Sequence, residues 1–225
     1  MMNQQQIEGY YLGVYTEKFF EFNIVDSRPQ ALFLAPKIAE CLGIRSVIDF
    51  GSGAGHWVYA FLKCGVDAIG FEGSPNSVSR TVCPPHRHII FDLRQDIGFI
   101  KKIDLAFSLE VAEHIEEEYA EVYLNNIVQQ KPEYIIITAA PPGQGGDYHV
   151  NEQPYTYWID RLAGRNYKLS PGIMAMFKRW CEIGRNLPKD KVGSELRAPW
   201  QDTQDIPGIW IPEWMPTNLL AFTKL

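Results

Sequence analysis

Cysteine is sparse and unpaired in this chain. Cys41, Cys64, Cys83 and Cys181 are scattered over 225 residues with no Cys-x-x-Cys spacing. That excludes a disulfide framework and a thiolate zinc site, and reads as free thiols in a reducing compartment. An apolar run of the ~20 residues needed to cross a bilayer is missing. A basic-then-apolar leader is missing too. The chain opens Met-Met-Asn-Gln-Gln-Gln, so a cytoplasmic protein with no signal peptide and no membrane contact is expected. Positive charge is thin. Lys and Arg number 21 against 27 Asp and Glu, a net charge of −6. The densest basic stretch is Lys178-Arg179 with Arg185, Lys189 and Lys191, which argues against extensive nucleic-acid binding. Repeats and long low-complexity segments are also absent. What remains is an ordinary globular composition, 46% hydrophobic, at a length that suits one domain.

Residues 47–57, Val-Ile-Asp-Phe-Gly-Ser-Gly-Ala-Gly-His-Trp, carry the most information. An apolar run ends in Asp49, Gly51, Gly53 and Gly55 follow at every second position, and a helix-like segment starts at Trp57. Strand, glycine turn and helix N-terminus together let a ligand approach the backbone and meet free N–H donors. The dinucleotide fingerprint wants its third glycine at position 56, where His56 stands. The second strand-like run, Asp67-Ala-Ile-Gly-Phe-Glu72, ends in an acid 21 positions after Gly51. An acid at that place in a βαβ unit accepts the ribose hydroxyls of a nucleotide-like ligand.

Asp49-x-Gly51-x-Gly53-x-Gly55 resembles the glycine loop of class I S-adenosylmethionine (SAM)-dependent methyltransferases. Ser108-Leu-Glu110-Val111-Ala-Glu113-His114 is similar to the Glu-Val-x-Glu-His segment of many small-molecule members of that family. The resemblance covers roughly residues 28–165 and the last strand. It implies SAM as cofactor, held by Asp49, Gly51, Gly53, Gly55 and Glu72. Asp92 and Leu93, after the third strand, would serve the adenine edge, with Asp96 as a rival acid, and Ser108 would border the site.

Alternating strands and helices predict an α/β doubly wound sheet. Strands are expected at 46–50, 67–71, 88–91, 105–108 and 134–138, and a final one at 218–224. The resemblance implies a Rossmann-like, mostly parallel, seven-stranded sheet whose last strand is antiparallel. Ala31, Leu34, Ala35, Ile38 and Leu42 recur at helical spacing before Gly43. The aromatic stretch 10–22 predicts a helix over the ligand mouth. Residues 171–216, rich in proline and tryptophan, read as a prolonged irregular segment, either a substrate lid or a packed surface excursion. The chain is thus expected to be one domain: a helical cap over 1–45, a cofactor-binding core over 46–165, and a substrate-side segment with the final strand over 166–225.

Strand ends at the carboxyl edge of such a sheet face the ligand crevice. His114 is therefore the candidate base for an alcohol acceptor, since histidine titrates near neutrality. Glu110 joins it as a catalytic candidate. After strand five, Asp147, Tyr148, His149 and Asn151 gather polar groups at the crevice edge, and His149 is a candidate second base or acceptor-orienting group. Pro154 opens a helix with Tyr155, Trp158, Ile159 and Leu162 on one face. Glu110, Glu113, His114 and His149 also resemble the divalent-metal set of small-RNA 3′-terminal 2′-O-methyltransferases, a less favoured reading. The expected activity is O-methylation of a small hydroxylated acceptor, a sugar, glycan or metabolite. N-methylation of a small molecule, metal-dependent RNA 2′-O-methylation and non-catalytic SAM binding stay open beside it.

Overall fold

The computed structural model describes residues 13–188, 209 and 211–225, and of residues 21–26 the backbone alone. Seven strands form one sheet: β1 Ser46–Phe50, β2 Asp67–Glu72, β3 His88–Ile90, β4 Leu105–Ser108, β5 Tyr134–Thr138, β6 Tyr167–Leu169 and β7 Leu219–Lys224. Their spatial order is β3-β2-β1-β4-β5-β7-β6. The first five run parallel. β7 inserts antiparallel between β5 and β6. This is the expected doubly wound sheet with an antiparallel last strand. β1 leads towards β2 on one side, and β4 leads towards β5 on the other. The crevice at this switch point lies outside the carboxyl ends of β1 and β4.

The period-2 alternation of the strands supplies two separate cores. Val47, Leu105, Phe107, Ile136, Leu219 and Ala221 face one layer. That layer is built from α1 (Glu17–Leu42), α2 (His56–Lys63) and α5 (Pro171–Arg185). Ile48, Phe50, Ala106, Ile135, Ile137, Leu220 and Phe222 face the other, built from α3 (Ala120–Val128) and α4 (Tyr155–Ala163). Trp158 and Leu162 of α4 are fully buried there, so the face expected behind Pro154 packs as core.

Two expectations are revised. The helical spacing at 31–42 and the later part of the aromatic stretch, from Phe19 on, belong to a single α1, begun after the N-cap Thr16, whose hydroxyl accepts from the Phe19 amide, and stopped at Gly43 with φ 63°; Tyr15 precedes it. It runs through Pro29 and Pro36, each of which removes one helical hydrogen bond. Residues 10–12 lie outside the described residues. The segment 171–216 is not irregular throughout: α5 occupies 15 residues of it. Pro171 sits at the first turn, where its missing N–H goes unneeded and its fixed φ suits the helix. Cys181 and Phe177 of α5 are fully buried. Residues 189–208 and 210 of that segment lie outside the described residues. A short α6 (Trp214–Asn218) then feeds β7. Among the described residues no helix is long and apolar enough to cross a membrane.

Candidate cofactor and acceptor cavity

A cavity of about 560 Å³ opens at the carboxyl edge of the sheet. Its floor is the glycine loop. Gly51 and Gly53 both have positive φ, 82° and 56°, and both line the cavity. A Cβ on Gly51 would stand 2.2 Å from Val111 Cγ2, so this position needs glycine twice over. The Gly51 and Ser52 amides donate to the Phe71 carbonyl at 2.8 and 2.9 Å, tying the loop to β2. Gly55 lies behind the loop against Cys83 and Thr81.

Glu72 ends β2 and lines the same cavity. Its Oε2 accepts from the Gly53 amide at 2.9 Å and its Oε1 from the Ser74 amide at 2.8 Å. Burial pushes its carboxyl up to about 7, against those backbone donors, which favour the charged form. Asp49 is buried behind the loop, and its Oδ2 meets no donor among the described residues. Burial first, and the neighbouring Glu72 second, push the Asp49 carboxyl up to about 8. His56, at the first turn of α2, also lines the cavity. Burial and the nearby Arg28 charge hold its imidazole down to about 4.

The structure separates the three remaining expected cofactor residues. Leu93 lines the cavity. Asp92 stands behind it, its oxygens engaged by Arg94 Nε at 3.0 Å and Nη2 at 3.1 Å, and it is Arg94 that reaches the cavity wall. Ser108 is turned away altogether. Its hydroxyl donates to the Phe50 carbonyl at 2.6 Å and accepts from Tyr123 Oη at 2.8 Å, because the pleat points this residue into the α3 layer. Asp96 accepts from the Gly98 amide in an exposed turn.

The acceptor end is built after β4 and β5. Glu110 takes a left-handed φ of 58°. Thr138 Oγ1 donates to its Oε1 and accepts from its amide, each at 2.6 Å. Burial raises the Glu110 carboxyl to about 7. Glu113 is fully buried, with neither oxygen in a well-formed hydrogen bond among the described residues. Burial first, then Glu110, push its carboxyl well up, only partly offset by its own and the Ala140 amides. The Glu113 carbonyl accepts from the Val150 and Asn151 amides at 2.9 and 3.0 Å, which brings the post-β5 loop over this residue.

His114 and His149 face the cavity with ring centroids 5.1 Å apart. His114 Nδ1 is 3.1 Å from the Tyr148 carbonyl. A carbonyl can only accept, so the proton sits on Nδ1 and Nε2 keeps its lone pair. Burial holds this imidazole down to about 4. His149 Nδ1 is 2.9 Å from Glu152 Oε1. Ligand atoms of Glu113, His114 and His149 all lie within 4.8 Å of one another. Glu110, expected in that set, stands outside it, its carboxyl bonded to Thr138. One carboxylate and two imidazoles with fixed outer nitrogens form a donor set that suits a transition-metal dication.

Aromatic and apolar groups close the mouth. Tyr15, just before α1, lines it with Phe19 and Phe20 of α1 and with Pro212, Trp214 and Met215. The Tyr15 ring stands 6.1 Å from His114 and 6.2 Å from Tyr148. The Tyr15 carbonyl accepts from Ser74 Oγ and Asn76 Nδ2, the latter at 2.8 Å. Arg94, Thr138 and Glu152 were not anticipated from the sequence. A polar residue three positions after His149 was the available signal for the last of them.

No family model matches the sequence, and no curated protein matches it. Solved structures do share the fold. A TehB-like SAM-dependent methyltransferase from Corynebacterium glutamicum superposes with a TM-score of 0.54 at 17% identity, over 85% of this chain and 87% of that one. The magnesium protoporphyrin IX methyltransferase ChlM of Synechocystis, with bound SAM, gives 0.51 at 18% identity, over 63% and 70%. The small RNA methyltransferase HEN1 gives 0.52 at 17% identity, over 64% of this chain and 22% of that one. The chain has the class I methyltransferase fold.

Proposed function

We propose that the chain is a SAM-dependent methyltransferase acting on a hydroxyl of a small acceptor, a sugar, glycan or metabolite. The observation that carries the reading is the clasp between the Gly53 amide and Glu72, held across two strand ends beside an open cavity. Each Glu72 oxygen retains a lone pair for a ribose hydroxyl. Leu93 supplies an apolar wall for adenine, with Asp92 positioned through Arg94.

At the acceptor end His114 offers an unprotonated Nε2, and the His149 ring stands beside it. In the reaction the acceptor O–H bond breaks and its proton passes to an imidazole. The O–CH3 bond forms as the S–CH3 bond breaks, leaving S-adenosylhomocysteine as a neutral thioether. Positioning the hydroxyl in line with the methyl carbon supplies much of the rate, and the base contributes about 10²–10⁴-fold. An amine acceptor needs no such base, which separates the N-methyl alternative.

A second reading rests on the convergence of Glu113, His114 and His149. These residues would hold a divalent cation, which supplies a lowered pKa for the acceptor hydroxyl. HEN1 methylates small RNA by its name, and a metal-dependent RNA 2′-O-methyltransferase is the matching proposal here.

The test is calorimetric titration with S-adenosylhomocysteine, then an acceptor screen of sugars, amines and short RNAs read by S-adenosylhomocysteine production, with and without chelator. Absence of S-adenosylhomocysteine binding overturns the methyltransferase reading. Binding with no turnover on any acceptor favours the non-catalytic alternative.

A further inference from the structure

We propose that Glu152 is a positioning residue, fixing the proton of His149 on Nδ1 and so presenting a bare Nε2 to the acceptor. The inference rests on the methyltransferase reading and adds to it a residue outside the cavity lining. Three donors converge on this one carboxylate. Oε1 is 2.9 Å from His149 Nδ1 and accepts from the Gly145 amide at 2.7 Å. Oε2 accepts from the Gly143 amide at 2.8 Å. An ionised carboxylate can only accept, so the proton in the His149 contact belongs to the imidazole.

The glycine-rich loop is shaped for this arrangement. Gly143 and Gly145 have φ of 85° and 72°, a left-handed backbone that turns both amides towards Glu152 at no steric cost. Gly146 clears the ring: a Cβ there would meet His149 Nε2 at 2.4 Å. Pro141-Pro-Gly-Gln-Gly-Gly146 therefore serves as a mount for one side chain pair.

The two cavity histidines consequently differ. His114 leans on the neutral Tyr148 carbonyl. His149 leans on a carboxylate, which two glycine amides hold in place, so both the proton on Nδ1 and the plane of the ring are fixed. His149, with Glu152 behind it, is the imidazole whose orientation is set towards the acceptor.

The chain has five histidines, few enough for every imidazole to be resolved in long-range ¹H–¹⁵N spectra, with His149→Gln assigning the signal. Neutral His149 is expected as the Nδ1–H tautomer in the wild-type protein and as a mixture or the Nε2–H form in Glu152→Gln and Glu152→Ala. S-adenosylhomocysteine affinity is expected to stay within about twofold in both, while turnover on an acceptor found by the screen falls by about 10–100-fold and is partly restored in Glu152→Asp. A wild-type His149 in the Nε2–H form overturns the proposal, and that measurement needs no variant to fold. A tautomer unchanged in a folded Glu152→Gln does so too. Neither result touches the methyltransferase reading, which falls instead if the wild-type protein fails to bind S-adenosylhomocysteine.

Discussion

The Gly53 amide donates to Glu72 Oε2 at 2.9 Å although the two residues are 19 apart in sequence. The contact joins the turn after β1 to the end of β2. Loop and acid are thereby tied to each other. Glu72→Ala is expected to weaken S-adenosylhomocysteine binding by at least about 100-fold, the loss of two charge-assisted hydrogen bonds. Adenine alone, which has no ribose, should bind both proteins alike, and calorimetry compares them.

Protonation of the same unit makes stability depend on pH. Asp49 rises from 3.8 to about 8 and Glu72 from 4.5 to about 7 in the folded state. Folded protein therefore keeps protons that the unfolded chain has released. The stability contributed by these groups is full below the unfolded values and is lost as pH climbs through the folded ones. The ligand-free melting temperature is expected to fall between about pH 6 and 8, and Asp49→Asn should flatten that slope. A melting temperature that rises over this range would contradict the assignment.

Gly51→Ala should be severe. The left-handed backbone alone is worth about 1–2 kcal/mol against an L side chain, and overlap with Val111 at 2.2 Å adds to it. Overpacking of this kind is worth about 1–3 kcal/mol more. Urea denaturation measures the sum. Gly65→Ala serves as the control, since its φ is 78° yet its Cβ would meet nothing within 4 Å.

Glu113→Gln separates the two acceptor-site readings. Its carboxyl is buried, pushed well up by burial and Glu110, and in no well-formed hydrogen bond among the described residues, so the amide keeps the shape and removes a charge that burial disfavours. Stability should change by less than about 1 kcal/mol. If a divalent cation is required, turnover and cobalt binding, followed by visible absorption, both collapse in this variant. If His149 acts alone as base, turnover survives chelator.

Tyr15 bridges the mouth, its carbonyl on Ser74 and Asn76 and its ring beside His114 and Tyr148. Tyr15→Ala should speed S-adenosylhomocysteine dissociation by roughly 10-fold, since truncated anchors act mainly on the off-rate. Stopped-flow fluorescence of the cavity tryptophans reads it, and an unchanged rate would remove Tyr15 as a gate.

Much of this was legible in the sequence, for local reasons. The glycine turn at 51–55 and the strands at 46–50 and 105–108 follow from short-range pattern alone, and the structure repeats them. α5 was hidden because prolines later in the 171–216 segment masked a 15-residue amphipathic stretch behind Pro171. Ser108 misled because strand position gives proximity to a crevice, whereas the pleat decides which way the hydroxyl turns. Asp92 shows the same limit. Its acidity was visible, but the Arg94 clamp two residues on depends on a side-chain conformation that no spacing rule specifies.

The insertion of β7 sets a condition on how the sheet is completed. Tyr134 pairs with Thr223 and Thr138 with Leu219, so the edge of β5 stays bare until the residues of β7 are available. Ile135, Ile136 and Ile137 form that edge. An unpaired run of β-branched residues is a template for pairing with another molecule. A chain stopped before Leu219, or still emerging from the ribosome, presents it openly, and β6 lacks its partner β7. Aggregation of shortened chains should therefore begin at β5, and C-terminal truncation should harm yield far more than the few residues removed would suggest.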